Sequence, residues 1–374
     1  MMQPSPKKIA LFGGAFDPPH KGHTALVSLI LQEFGLSEII VLPAGDPPHK
    51  TAAASAQDRL AMCRLAFQNL SARNAPADSR VAVSDYEIAA GGISYTYQTL
   101  AHFHGVFGDK PYFIVGADSM LQILHWKQPE QIACHGKLIV AGRPPYDHAL
   151  ESAVSAYREK TGGEVFVSRS RVPDISSTEI RILHSFGGDL SDYLDPPILG
   201  YIQKHHLYLQ YAETARAIKN LVEEERYRHT ASVAVCAYKL AERYGADSAK
   251  AVRAALYHDC AKRIVTEEAA MKFGLEVPRA VFGLHPKIRH GPIGALYAQK
   301  YFHETDGDVL NAIRNHTTGR ENMSLLEKIV FVADYIDPLR GYDDSPAMYE
   351  AAFRDLDKVI GFKYAEIAEQ ERKG

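Results

Sequence analysis

Six short apolar runs punctuate the first 200 residues: KIALFGG (8–14), EIIVLPAG (38–45), RVAVSDYEI (80–88), PYFIVGAD (111–118), KLIVAG (137–142) and EVFVS (164–168). They are rich in Ile and Val and bounded by Gly, Pro or Asp, as strands buried on both faces are. Between them the apolar spacing turns helical, for example over 24–34 and 57–70. Strand–helix alternation predicts an α/β domain: a Rossmann-like, doubly wound parallel sheet with right-handed crossovers. Such sheets bind ligands beyond the carboxyl ends of their strands. After about Tyr211 the strand pattern stops. Helical spacing then runs over 213–225, 230–244, 248–260, 294–301, 309–315 and 324–335, with one or two amphipathic helices over 347–370. The pattern therefore predicts two domains, α/β over 1–210 and an all-α bundle over 211–374. No Pro/Gly/Ser-rich linker marks the switch, and no repeat or low-complexity tract is present.

Composition narrows the classes. A length of 374 residues suits two domains. With 46% apolar and 23% charged residues, the chain is neither collagen-like, coiled coil nor wholly disordered. A net charge of −3 and the lack of a basic-aromatic stripe argue against a nucleic-acid binder. No apolar run approaches the ~20 residues of a spanning helix, so no membrane partner is expected. Gly, Asp and two prolines interrupt the first apolar run, which is not a signal peptide. Cys63, Cys134, Cys236 and Cys260 are scattered, which fits a reducing, cytoplasmic setting and no disulfide framework. Histidine stands out at 17. Where the histidines fall decides whether that count matters.

The first constellation follows the first strand, in GGAFDPPHKGH (13–23). Gly13 and Gly14 let backbone approach a ligand. His20 and His23, three apart, share one face of a helix that starts there. A helix N-terminus offers free N–H groups and partial positive charge to phosphate. After the last strand comes DISSTEIR (174–181). Ser176 and Glu179 fit a capping box. Arg181, one turn in, can clamp phosphate.

Residues 8–210 resemble the H-x-G-H nucleotidyltransferases, and more narrowly bacterial nicotinate-nucleotide adenylyltransferase (the NadD family). The matching pieces are GGAFDPPHKGH (13–23), PAGDPPHK (43–50), SYTYQTL (94–100), FIVGADSM with HWKQP (113–129), GRPPY (142–146) and ISSTEIR (175–181). The resemblance implies that nicotinate mononucleotide and ATP give deamido-NAD and pyrophosphate by in-line attack, with Mg²⁺ accompanying ATP. It places Gly13, Gly14, Phe16, His20, His23, Gly116, Asp118, Ser177, Ile180 and Arg181 at ATP, with His20, His23 and Arg181 catalytic. Thr96 and Trp126 are implied at the nicotinate end, and His49 and Lys50 on a loop over the phosphates. Tyr95 and Tyr97 are expected to pack.

The second constellation runs through the helical half: His229, His258-Asp259, His290, His316 and Asp334. The steps of 29, 32, 26 and 18 residues each allow about one helix and a turn. Each ligand can thus come from a different helix and converge in a bundle core. Imidazole and carboxylate without thiolate suit Fe, Mn or Zn in a reactive site. Two such metals can activate water and neutralise phosphate oxygens. Lys262, one turn past Asp259, points the same way and can grip phosphate. Asp337 can assist the site or serve as a turn residue. His285 and His303 fall outside the pattern.

The order H…HD…H…H…D resembles the HD-domain phosphohydrolases. Residues 215–374 are similar to the YqeK branch, the symmetrical bis(5'-nucleosyl)-tetraphosphatases, through RYRHT (226–230), YHDCAK (257–262), RHGPIGA (289–295), NAIRNHTTGR (311–320) and MSLLEKIVFVADYIDP (323–338). The resemblance implies a site of two divalent metals, iron first, with Asp259 and Lys262 catalytic, and cleavage of diadenosine tetraphosphate to two ADP. Two alternatives stay open at this stage. The helical half could hydrolyse another nucleotide, such as a guanosine polyphosphate or a deoxynucleotide, or it could bind and sense nucleotides without turnover. Oligomeric state is not legible.

Overall fold

The apolar runs of the first half form six parallel strands. They are β1 (Ile9–Gly14), β2 (Glu38–Pro43), β3 (Arg80–Val83), β4 (Tyr112–Gly116), β5 (Lys137–Ala141) and β6 (Val165–Val167), in the order β3-β2-β1-β4-β5-β6. The structure is a computed structural model that describes residues 7–47, 51–68, 70, 79–141, 147–340 and 345–373. Strand order reverses between β1 and β4, which pair at Ala10↔Tyr112 and Leu11↔Phe113. Continuing that offset sets Gly14 level with Gly116. The crevice at this switch point is where an open α/β sheet takes its ligand.

The sheet is packed on both faces. Leu11, Leu42, Leu138 and Val140 face one buried cluster; Ala10, Ile39, Val41 and Ile139 face the other. Two-sided burial is why these strands read as continuous apolar runs and not as alternation.

The helical half is built around a separate core from the helices Ala212–Leu221, Glu224–Tyr244, Ser248–Tyr257, His290–Tyr301, Gly307–Asn315 and Leu325–Tyr335, with Ser345–Arg354 and Leu356–Lys373 closing the chain. Helices Ser248–Tyr257, Gly307–Asn315 and Leu325–Tyr335 start on Asp247, Asp306 and Ser324, whose side chains accept N–H bonds of the first turn.

By contacts the chain divides into two units, 1–180 with 189–208, and 181–188 with 209–374. The stretch 181–188 groups with the second unit because Ile182 and Phe186 are buried in its core, Phe186 with its ring 5.0 Å from Tyr227. No helix among the described residues is long and apolar enough to cross a membrane.

Several boundaries differ from expectation. The third run stops as a strand at Val83, and Tyr86–Ala90 is helical. Glu87 in that turn points inward, where burial raises its carboxyl pKa and Thr99 Oγ1 donates to it at 2.8 Å. In the second half the break between the first two helices falls at 222–223, four residues earlier than the spacing suggested. Two short helices, Glu267–Lys272 and Arg279–Phe282, occupy a stretch with no clear period.

Two candidate active sites

In the first unit, β1 delivers the chain to Gly13 and Gly14, and the helix Lys21–Glu33 begins one turn later. His20 is the residue before that helix, not on its face as the spacing suggested. Its ring nevertheless stacks on His23 with centroids 3.6 Å apart. The His20 N–H donates to His23 Nδ1 at 3.2 Å, so His23 carries any neutral-form proton on Nε2. Gly22 makes the stack possible: a Cβ there would lie 3.0 Å from His20 Nδ1. Phe16, at φ +50°, buries its ring 5.0 Å from His23. The two imidazoles and the first N–H groups of the helix thus share the carboxyl end of β1.

Residues that sequence reasoning missed hold this turn. Arg59 is 1% exposed, and its guanidinium donates to the carbonyls of Ala15 (2.8 Å), Ala44 (2.7 Å), Gly45 (3.0 Å) and Ala54 (3.4 Å). Asp17 accepts from the N–H groups of Ala53 (2.7 Å) and Ala54 (3.1 Å). The loops after β1 and β2 are therefore pinned to each other through buried charge. Arg59 had no sequence signal, because it reads as the polar face of an ordinary helix; Asp17 lies inside the motif 13–23 but was given no role there.

The other expected residues of this half are placed as follows. Ser176 accepts from the Glu179 N–H at 3.1 Å, as the capping pattern predicts, and Ser177 Oγ donates to the Pro18 carbonyl at 2.8 Å. Ile180 is buried and Arg181 is half-buried one turn into the helix Ser177–Ser185, which crosses the division between the units. Gly116 ends β4 and precedes the helix Ala117–Gln122, with Asp118 exposed in its first turn. The segment around Ser94 is laced to the loop after β2: Gly45 N–H donates to Ser94 Oγ at 3.0 Å and Ser94 N–H to the Asp46 carbonyl at 3.1 Å. Thr96 follows at the start of Thr96–Phe107. Lys127 Nζ lies 4.1 Å over the Tyr95 ring, a contact that brings Thr96 and half-buried Trp126 onto neighbouring segments. Tyr97 packs on the core. His49 and Lys50 lie outside the described residues.

In the second unit six ligand-type side chains converge. His229 comes from Glu224–Tyr244, His258-Asp259 from the end of Ser248–Tyr257, His290 from the start of His290–Tyr301, His316 from the end of Gly307–Asn315 and Asp334 from Leu325–Tyr335. All six are buried. Gly291 permits the close approach of two of these ends, since a Cβ there would sit 2.6 Å from the Arg314 carbonyl. Three imidazoles donate Nδ1–H outward: His258 to the Ala255 carbonyl (2.6 Å), His316 to the Ile313 carbonyl (2.7 Å) and His229 to Asp337 (2.5 Å). Each outer bond orients its ring and turns Nε2 inward, as metal-binding histidines require.

The inner atoms then face one another. His229 Nε2 is 3.1 Å and His258 Nε2 3.8 Å from Asp334 Oδ1; His258 Nε2 is 3.5 Å from Asp259 Oδ2; His290 Nε2 is 3.1 Å and His316 Nε2 3.7 Å from Asp259 Oδ1. Two groups have ligand atoms within 4.8 Å of one another: His229, His258 and Asp334, and His258, Asp259 and His316. Burial pushes His316 down to about 4 and lowers His290, so these imidazoles are neutral. Burial opposes charge on Asp259 as well, but the surrounding groups outweigh it and hold the carboxyl well below its usual range. Meanwhile buried His258 Nε2 and Asp259 Oδ1 make no hydrogen bond among the described residues. Inward-turned ring nitrogens crowded on two carboxylates fit a cation, and the ligand set fits a divalent one.

Charged side chains surround the ligands. Lys262 Nζ lies 3.5 Å from Asp259 Oδ1 and 3.2 Å from His290 Nε2, on the side expected. Arg226 is 2.9 Å from Asp259 Oδ2, and Arg340 contacts Asp334 Oδ1. Buried Lys363 donates to the carbonyls of Phe331 (2.7 Å) and His316 (3.1 Å) and lies 3.5 Å from Asp334 Oδ2; burial pushes it down to about 8. Asp337 is the outer partner of His229, held in turn by Ser232 Oγ. Cys260 packs, its thiol 3.7 Å from the Gly294 carbonyl. His285 and His303 are exposed.

Comparison with known proteins matches both halves of the chain. Residues 11–182 fit the cytidylyltransferase-like family and residues 226–339 the HD domain. A Neisseria meningitidis serogroup C protein named a probable nicotinate-nucleotide adenylyltransferase is 37% identical over 207 residues, 54% of this chain and 98% of its own length. A Bacillus subtilis protein named bis(5'-nucleosyl)-tetraphosphatase, symmetrical, is 40% identical over 149 residues, 40% of this chain and 80% of its own. The chain belongs to both families. The two families also share one chain in Mycoplasma pneumoniae, in a protein named probable nicotinate-nucleotide adenylyltransferase/Ap4A hydrolase, 27% identical over 92% of this chain and 95% of its own. The HD family implies divalent metal in the second unit, where the buried His/Asp set has the chemistry to hold it.

Proposed function

We propose that the chain is a bifunctional enzyme, with an adenylyltransferase over residues 1–210 and a phosphohydrolase over 211–374. In the first half the phosphate oxygen of nicotinate mononucleotide attacks the α-phosphorus of ATP. The new P–O bond replaces the bond to pyrophosphate, giving deamido-NAD. No group on the enzyme needs to be covalently modified, so catalysis is positioning and charge stabilisation. His20 and His23 donate to the ATP phosphates beside the N–H groups of Lys21–Glu33, with Ser177 and Arg181 on the second helix and Mg²⁺ carried by ATP. Gly116 and Asp118 border the adenosine; Thr96 and Trp126 hold the pyridine end, with His49 and Lys50 over the phosphates. The observation that carries this half is the His20–His23 stack at the carboxyl end of β1.

In the second half a dinucleoside tetraphosphate is hydrolysed symmetrically, with water added across the central P–O–P linkage to give two ADP. His229, His258, Asp259, His290, His316 and Asp334 would hold two divalent ions, iron being the first choice and Mn or Zn the others. The ions would supply an activated water and charge neutralisation. Lys262 stabilises phosphate charge. The observation that carries this half is the convergence of buried, inward-turned Nε2 atoms on two carboxylates.

The test is a pair of assays on the intact chain. His20→Ala should abolish pyrophosphate release from ATP and nicotinate mononucleotide while sparing diadenosine tetraphosphate cleavage. His258→Ala with Asp259→Ala should do the reverse. An intact chain without either activity, or variants that lose both together, would overturn the reading.

A further inference from the structure

Four cations face two carboxylates at the second site: Arg226 and Lys262 on Asp259, Arg340 and Lys363 on Asp334. Each carboxylate carries one charge, as does buried Asp337 behind His229, which leaves one positive charge in excess before any divalent ion is added. Such a surplus suits a multiply anionic ligand. The four cations are not equivalent. Lys363 is 9% exposed and fixed by two carbonyls, so it is a permanent partner of Asp334. Arg226, Lys262 and Arg340 keep 28–37% of their side chains exposed, enough to reach a bound molecule.

The two arginines also divide between the ligand groups. Arg340 sits on Asp334 Oδ1, the oxygen faced by His229 and His258. Arg226 sits on Asp259 Oδ2, which faces His258 from the other group. His258 is the member common to both. One planar, two-pronged donor therefore stands at each ligand group, with the shared histidine between them. Guanidinium forks match phosphate oxygens bidentately, which a lysine does not.

We propose that Arg226 and Arg340 are phosphate-binding residues, each gripping the phosphates on one side of the scissile linkage of a dinucleoside polyphosphate. The inference rests on the hydrolase reading above and deepens it. Paired anchors centre the phosphate chain, and centring is what makes the products equal. Cleavage off centre would give AMP and ATP in place of two ADP.

The test uses the full-length, metal-loaded chain with Arg226→Ala, Arg340→Ala and the two Lys variants, assayed on diadenosine tetraphosphate. Bound metal is measured by elemental analysis and products by chromatography. Each Ala variant should raise KM on the order of tenfold, one charge-assisted phosphate contact being worth about that factor, with metal per chain unchanged. AMP and ATP should appear beside ADP. The Lys variants should recover part of the affinity but not the product symmetry. Wild-type cleavage with unchanged KM and product pattern in all variants would overturn the proposal. So would loss of metal in step with activity, since the arginines would then only position the carboxylates. No cleavage by the wild-type chain would instead remove the hydrolase reading itself.

Discussion

Arg59→Met is the sharpest probe of how the first site is held. Four carbonyls lose a charged donor: those of Ala15, Ala44 and Gly45 at 2.7–3.0 Å, and that of Ala54 at 3.4 Å. A net contribution of about 1.5–3 kcal/mol per bond to a charged group gives about 4.5–9 kcal/mol for the three short ones. Met recovers part of this, because a buried guanidinium carries a desolvation cost that a thioether does not. The expected net loss is about 3–4 kcal/mol, large against the roughly 5–15 kcal/mol of a whole domain. For a domain near 200 residues that is a fall in Tm of about 10 °C. Function should follow geometry: the loops after β1 and β2 carry Gly14, Ala15 and Gly45, so KM for ATP should rise several-fold at a temperature where the variant stays folded. Arg59→Lys should rescue only in part, since one ammonium cannot reach Ala15 and Ala44 from both ends of a fork. Calorimetry and initial rates on the same preparation decide it. A loss below about 1 kcal/mol with unchanged KM for ATP would refute the pinning role.

Two further outcomes follow from the second unit. Asp337→Asn keeps the shape around His229 but removes the charge that orients its Nδ1–H; metal affinity should fall by about 10–100-fold, read by competition with a chelator. Burial opposes ionisation of Glu327, but Arg320, the Ser324 N–H and Asn315 hold its carboxyl below the usual value of 4.5. A depressed carboxyl contributes stability that is present above the unfolded pKa and lost as pH falls through the folded one. Glu327→Gln should therefore flatten the acid limb of the urea midpoint against pH, and identical limbs in both proteins would count against the linkage.

The sheet was legible because two-sided burial writes parallel strands as unbroken Ile/Val runs. The third run was overread for a physical reason: Tyr86 and Ile88 continue the apolar pattern, but the chain turns at Asp85 to bury Glu87 against Thr99. The convergence of the six His and Asp side chains was legible because such residues at helix-length spacing are unusual in a bundle core. Their supports were not. Arg226, Arg340 and Lys363 are residue types that normally face solvent, and their partners lie as far as 47 residues away in sequence. Asp337 could only be half-read, since a turn aspartate and a histidine's outer partner look alike until His229, 108 residues earlier, is brought against it.

The contrast between the sites follows from what each reaction must do with water. On the proposed reading, adenylyl transfer has to favour a phosphate nucleophile over water, and the first site would meet phosphate with imidazoles, a helix N-terminus and backbone N–H groups. The one carboxylate in its turn, Asp17, is directed at the N–H groups of Ala53 and Ala54. Hydrolysis has to supply the water. Among the described residues, the clusters able to hold an ion that would activate it occur in the second unit alone, where imidazole lone pairs and carboxylates are driven into the core. That arrangement is costly without a cation, and the flanking arginines and lysines offset the carboxylate charge. The ligand atoms thus account for the ion the site would hold, and the flanking cations for the polyphosphate proposed to bind there.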